Sequence, residues 1–287
     1  MTASKKKGNK IQSRGSIILS VLTYAVLIGG CLMVLLPIVV ILLGAFKDGK
    51  EFANSGVFEL PKSWSLGNFR KAFFEGKVLL GLRNTAFILI ASCIGTVLTG
   101  TMTAFVLQRF DGYFTRGVKA LFLLATLLPN ISMQVTVFRI VSKLGLYNTI
   151  WAPIILNVGT DIISIYIFMQ FLSQISVSID ESAIMDGASY PRIYFSIILP
   201  NLSPAIATVL IIKFVSIYND FYTPQLYMQK EDLLVVSTIL YKYISSTTIQ
   251  WEVVFAGIII CIIPTLILFL SLQKYIYSGL VSGAVKE

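Results

Sequence analysis

Histidine is absent from the sequence, so the side chain that most often binds metals and shuttles protons near neutral pH is missing. Charge is scarce too: 13% of the 287 residues are Asp, Glu, Lys or Arg, against 56% hydrophobic and a mean hydropathy of +0.81. Soluble domains carry about one quarter charged residues, so a water-solvated globule is excluded and an integral membrane protein is indicated. Cys31, Cys93 and Cys261 each fall in the middle of a different apolar run. Without paired spacing they read as small packing residues, not as a disulfide or zinc set. There is no internal repeat, and no low-complexity segment beyond a basic N-terminus.

What the chain has in abundance is long apolar runs. About 20 apolar residues cross a bilayer core of roughly 30 Å. Residues 17–46, 85–107, 118–138, 150–172, 203–227 and 253–272 meet that condition. The expected fold class is therefore an all-α integral membrane protein with six transmembrane helices. The first run has 30 residues, whereas a cleaved signal has an apolar core of about 7 to 15, so this run should stay in the membrane. Lys5, Lys6, Lys7, Lys10 and Arg14 crowd its start and argue for a cytoplasmic N-terminus. An even number of spans then returns the C-terminus to the same side. The expected division is a basic N-terminus at 1–16, a six-span membrane body at 17–277 and a cytoplasmic tail at 278–287. A net charge of +9 suits contact with anionic membrane lipid and gives no reason to expect nucleic acid.

One apparent nucleotide motif fails on inspection. Residues 44–51, "GAFKDGKE", match seven positions of the phosphate loop G-x-x-x-x-G-K-[ST], but Glu51 stands where a magnesium-binding hydroxyl is required. The stretch also follows a membrane span instead of a strand, on the outer face. No nucleophile, base and orienting group come together in the pattern. The expectation is a protein that is not an enzyme, with no catalytic residue, cofactor or metal site.

The most informative polar stretch is 178–200, "SIDESAIMDGASYPRIYFSIILP", between two apolar runs and on the cytoplasmic side of this topology. Ser178 and Glu181 have capping-box spacing, which predicts a helix from residue 179. Gly187 is the natural stop, because glycine takes a left-handed backbone without a side-chain clash. Ser189 with Pro191 predicts a second short helix. From composition alone an interfacial helix resting on headgroups stays open.

The arrangement Glu181, Ser182, Ala183, Gly187, Ile197, Leu199, Pro200 resembles the signature loop of inner-membrane permeases of binding-protein-dependent ABC importers. Ser182 replaces the middle alanine of that motif, a small-for-small change. Further pieces are similar to the carbohydrate-uptake branch of maltose-type second permeases: "AFK" at 45–47, "RNTAF" at 83–87, "LGLYNT" at 144–149, "YNDF" at 218–221 and "QKYIYSGLVSGAVKE" at 273–287. The resemblance implies a coupling helix that docks on an ATP-binding-cassette ATPase dimer, through Glu181, Ser182, Ala183, Asp186, Gly187, Ala188 and Arg192. It also implies a second permease, an extracellular solute-binding protein and a sugar or oligosaccharide substrate, in a bacterial-type cell membrane. The first span is expected to lie against the partner permease. A polyamine or phosphodiester permease, or a membrane scaffold that only binds a partner, stays open.

Two charges interrupt apolar runs. Asp161 and Lys213 lie about ten residues into their spans, near mid-membrane at 1.5 Å per residue. An isolated charge there costs at least ~2.5 kcal/mol, so pairing or a polar route is expected. Asn157 shares a helical face with Asp161 at i, i+4, and Asp220 with Lys213 at i, i+7. Asn157, Asp161, Lys213, Asn219 and Asp220 are the candidate path residues.

Overall fold

The computed structural model describes residues 14–159, 161–244 and 249–284. Lys5, Lys6, Lys7 and Lys10, on which the orientation rests, lie outside them. Among the described residues the chain is helical without strands. α1 (Arg14–Phe46) is followed by two short helices, α2 (Gly49–Asn54) and α3 (Gly67–Glu75). α4 (Val78–Arg109) is the central rod, longer at both ends than the expected 85–107. Then come α5 (Tyr113–Leu127), α6 (Asn130–Lys143), α7 (Trp151–Gly159) and α8 (Ile162–Leu172). α9 (Val177–Met185), α10 (Tyr190–Ile193), a π turn at Tyr194–Ile198 and α11 (Leu199–Asn201) build the polar segment. α12 (Ser203–Asn219), α13 (Tyr222–Tyr227), α14 (Val236–Ile244) and α15 (Trp251–Ala284) complete the chain.

Among the described residues three uninterrupted helices are long and apolar enough to cross a membrane, and three bent pairs bring the number of spans to six when each pair is one crossing. The bends are corrections to the expected continuous runs. α5 and α6 meet at 115°. Their junction is Leu128–Pro129: proline has no amide to donate and pushes Leu128 into extended backbone, at φ −76° and ψ 127°. α7 and α8 meet at 42°, and the α11–α12 join turns by 70° between Pro200 and Pro204. The expected 203–227 crossing ends early, because Asp220 turns extended and α13 is a separate short helix. At the other end, α15 runs past residue 272 to Ala284, through Gly279 and Gly283. Residues 285–287 of the expected tail lie outside the described residues.

Close packing centres on α4. A Cβ on Gly95 would sit 2.6 Å from Val158, and one on Gly100 would sit 3.0 Å from Phe168. Small residues on α4 thus let α7 and α8 lie against its backbone, the packing device of membrane helices. The largest buried cluster joins Ala104 and Phe105 of α4 to Phe168 and Leu172 of α8, Ile193, Tyr194 and Ile198 of the polar segment, and Leu202, Ala205 and Val209. α1 packs along α15 and α3 but leaves most of its apolar surface, including Cys31, exposed.

Candidate functional site

The segment from Ser176 to Asn201 forms a firm, two-sided element. Ser176, not Ser178, is the N-cap of α9, and its oxygen accepts from the Ser178 amide at 3.3 Å. The expected Ser178–Glu181 capping box is not formed, and the helix starts two residues early, at Val177. The reason is tertiary. Arg109, the last residue of α4, donates to the Ile175 carbonyl at 2.9 Å and pairs with Asp180 at 2.6 Å, which fixes where the chain turns. Both charged side chains are below 10% exposed, at 7% and 9%.

The turn after α9 follows the expectation at Gly187. Its φ is +82°, the Gly187 amide donates to Ile184, and the Ala188 amide donates to Ala183, each at 2.9 Å. These are the two bonds of a Schellman motif, which close a helix end on a left-handed residue. Ser189 then precedes α10, with Pro191 in its first turn, although the Ser189 side chain makes no capping bond.

The segment's inner side carries Ala183, Ala188 and Ile193 against the main core. Its outer side carries Glu181, Ser182, Asp186, Gly187 and Arg192, all exposed. Met185, which the motif comparison passed over, is 87% exposed at the tip. Nearby on the surface, Arg116 at the start of α5 donates to Asp111 of the preceding loop at 2.9 Å. That hydrogen bond holds the Asp111 carboxyl below its ordinary range.

The second site lies at the α7–α8 break. Asp161 caps α8 by accepting from the Ser164 amide at 3.3 Å, and its other oxygen lies 2.9 Å from Lys213 Nζ. Each side chain is 11% exposed. Lys213 also donates to the Asn157 carbonyl at 2.8 Å. The break explains this geometry: a helix end leaves carbonyls without amides and favours a cation, and a helix start favours an anion. Asn157 therefore meets Lys213 through its backbone, while its side-chain amide donates to the Pro153 carbonyl.

Two further expectations do not hold in the expected way. Asp220 is not on Lys213's helical stripe, because α12 has ended, and it accepts from the Thr223 amide at 3.0 Å at the start of α13. It shares a small cleft with Asn157. Asn219 is exposed and donates to the carbonyl of Val215 in its own helix. No cluster of three or more potential metal ligands occurs among the described residues.

Compared with known proteins, residues 8–281 match the family described as binding-protein-dependent transport system inner membrane component. The chain is 29% identical over 256 residues, 88% of its length and 91% of the relative's, to a probable starch degradation products transport system permease of Thermoanaerobacterium thermosulfurigenes. It is 27% identical to the melibiose/raffinose/stachyose import permease of Bacillus subtilis, over 88% of this chain and 91% of that one. With the maltodextrin transport system permease of Bacillus subtilis it shares 25% identity over 92% of its length and 95% of the relative's. A solved bacterial ABC transporter involved in import of the acidic polysaccharide alginate superposes with a TM-score of 0.82. That match has 22% identity and covers 92% of this chain and 98% of the solved one, a likeness of fold.

Proposed function

The chain belongs to the family of binding-protein-dependent transport system inner membrane components, and on that premise we propose that it carries a sugar or oligosaccharide into the cytoplasm, driven by ATP hydrolysis on a separate subunit. The two-sided build of Ser176–Asn201 carries this reading. One side is part of the membrane body's own core, while Glu181, Ser182, Met185, Asp186, Gly187 and Arg192 face outward on a turn fixed by two Schellman bonds. An element that is rigid on one side and exposed on the other transmits a push. The partner is an ATP-binding-cassette ATPase dimer on the cytoplasmic side, where both termini of this chain also lie.

A second permease covers the exposed length of α1, and a solute-binding protein delivers the sugar on the opposite face. Asn157, Asp161, Lys213, Asn219 and Asp220 mark the route between them. The sugar class is supported by relatives that are named for starch products, raffinose-type sugars and maltodextrin.

Affinity purification of the intact chain from its native membrane tests the assembly. An ATPase and a second six-span chain should be recovered, and Met185→Glu should lower ATPase recovery at least about ten-fold, as for a buried contact at an interface centre. Recovery of the chain with no ATPase would remove the reading. Uptake of labelled sugar, lost on deletion of the chain, separates an importer from a scaffold.

A further inference from the structure

A cavity of about 300 Å³ opens between α6, α7 and α13, lined by Met133, Gln134, Val137, Leu156, Asn157, Thr223 and Tyr227. Its size is at the lower end of small-molecule sites, and its lining is mixed, with Gln134, Asn157, Thr223 and Tyr227 beside Met133, Val137 and Leu156. Two observations set it apart from a packing void. No charged side chain lines it. Tyr227 is 1% exposed, yet its hydroxyl has no hydrogen-bond partner among the described residues. A buried hydroxyl without a partner calls for an explanation, and a ligand in the cavity that draws the Tyr227 side chain toward it supplies one.

We infer that this chain itself holds a binding subsite for an uncharged, polyhydroxylated solute in the cavity formed by Gln134, Asn157, Thr223 and Tyr227. The hydrogen-bonding inventory suits hydroxyl groups, which both donate and accept. Gln134 offers an amide with both functions, and Thr223 and Tyr227 offer hydroxyls. The Asn157 amide nitrogen is engaged by Pro153, which leaves its oxygen as an acceptor. Met133, Val137 and Leu156 provide the apolar surface that the C–H faces of a sugar ring require.

The mid-membrane pair beside Asn157 is already satisfied. Lys213 is held by Asp161 at 2.9 Å and by the carbonyl of Asn157 at 2.8 Å. A polyamine would therefore find no free carboxylate on this pair, and a phosphodiester no free ammonium. The inference rests on the sugar-import reading and narrows it, since it gives this subunit a share of the substrate contacts.

The test uses the complete importer with its partner permease, ATPases and binding protein in proteoliposomes, and labelled maltotriose, raffinose and putrescine as probes. The wild type should import at least one of the two sugars. Tyr227→Phe and Gln134→Leu should each lower its uptake rate at saturating sugar about ten-fold, the factor that corresponds to one lost hydrogen bond. Both variants should still co-purify with the ATPase and keep the wild-type melting midpoint. A purely structural Tyr227 predicts otherwise, because removing an unpartnered hydroxyl and keeping the ring leaves packing and uptake intact. Sugar uptake at wild-type rates in both variants overturns the subsite and leaves the sugar reading standing. Uptake of putrescine and of neither sugar overturns both.

Discussion

Gly187 and Lys213 are the two positions where a single side chain decides most. At φ +82° a β-branched residue is an outlier costing on the order of 1 to 3 kcal/mol. A Cβ there would meet nothing within 4 Å, so the strain is in the backbone and not in a clash. Gly187→Val should therefore uncouple ATP hydrolysis from uptake, while Gly187→Asn, which tolerates the left-handed region, should retain most of it. Equal coupling in the valine variant would remove the docking role of this turn. Lys213 and Asp161 make the converse case. Truncating one partner of a buried pair leaves an uncompensated charge, at about 3 to 5 kcal/mol. Lys213→Ala and Asp161→Ala should each lower uptake and the melting midpoint of the purified complex, and the double variant should lose less than the sum. Strict additivity would show that the 2.9 Å contact contributes nothing. Both residues were legible because a charge within an apolar run has no ordinary explanation. Arg109 and Asp180 were not, since each stands in a polar stretch where charge is unremarkable.

At the scale of the element, α9 is held in place by the buried ion pair Arg109–Asp180 as well as by its core-facing Ala183. Arg109→Gln should leave Asp180 buried without its cation and loosen the segment from the end of α4. The expected readout is faster proteolysis within 173–190 and weaker ATPase recovery, with α4 still inserted. The exchange Arg109→Asp with Asp180→Arg should restore part of both. Unchanged proteolysis and recovery in Arg109→Gln would assign the seating of α9 to apolar packing alone. The one local rule that failed here, the Ser178–Glu181 capping box, failed for the same reason. Ser176 also has a capping hydroxyl, and a bond from a residue 66 positions away in the chain decided between the two.

For the whole molecule, the remaining prediction concerns the end of α15, which continues to Ala284 well beyond what is needed to cross a bilayer. Deleting residues 278–287 should reduce coupled ATP hydrolysis by several-fold without loss of membrane insertion, if that extension reaches the ATPases. Unchanged coupling would make it a plain helix end. The sequence by itself determined the membrane class, the approximate positions of six crossings, the left-handed stop at Gly187 and the oddity of Asp161 and Lys213. These follow from quantities local to the chain: the length of an apolar run, the sign of φ that a missing Cβ permits, and the cost of a charge among hydrocarbons. Only the tertiary structure decided where the crossings break, which serine caps α9, that Lys213 meets the backbone of Asn157, and that Gln134, Thr223 and Tyr227 line one cavity. For the cap of α9, the Lys213 contact and the cavity the deciding partner comes from another helix, and apolar runs in which nearly every position is hydrophobic carry no periodicity that says which face meets which neighbour.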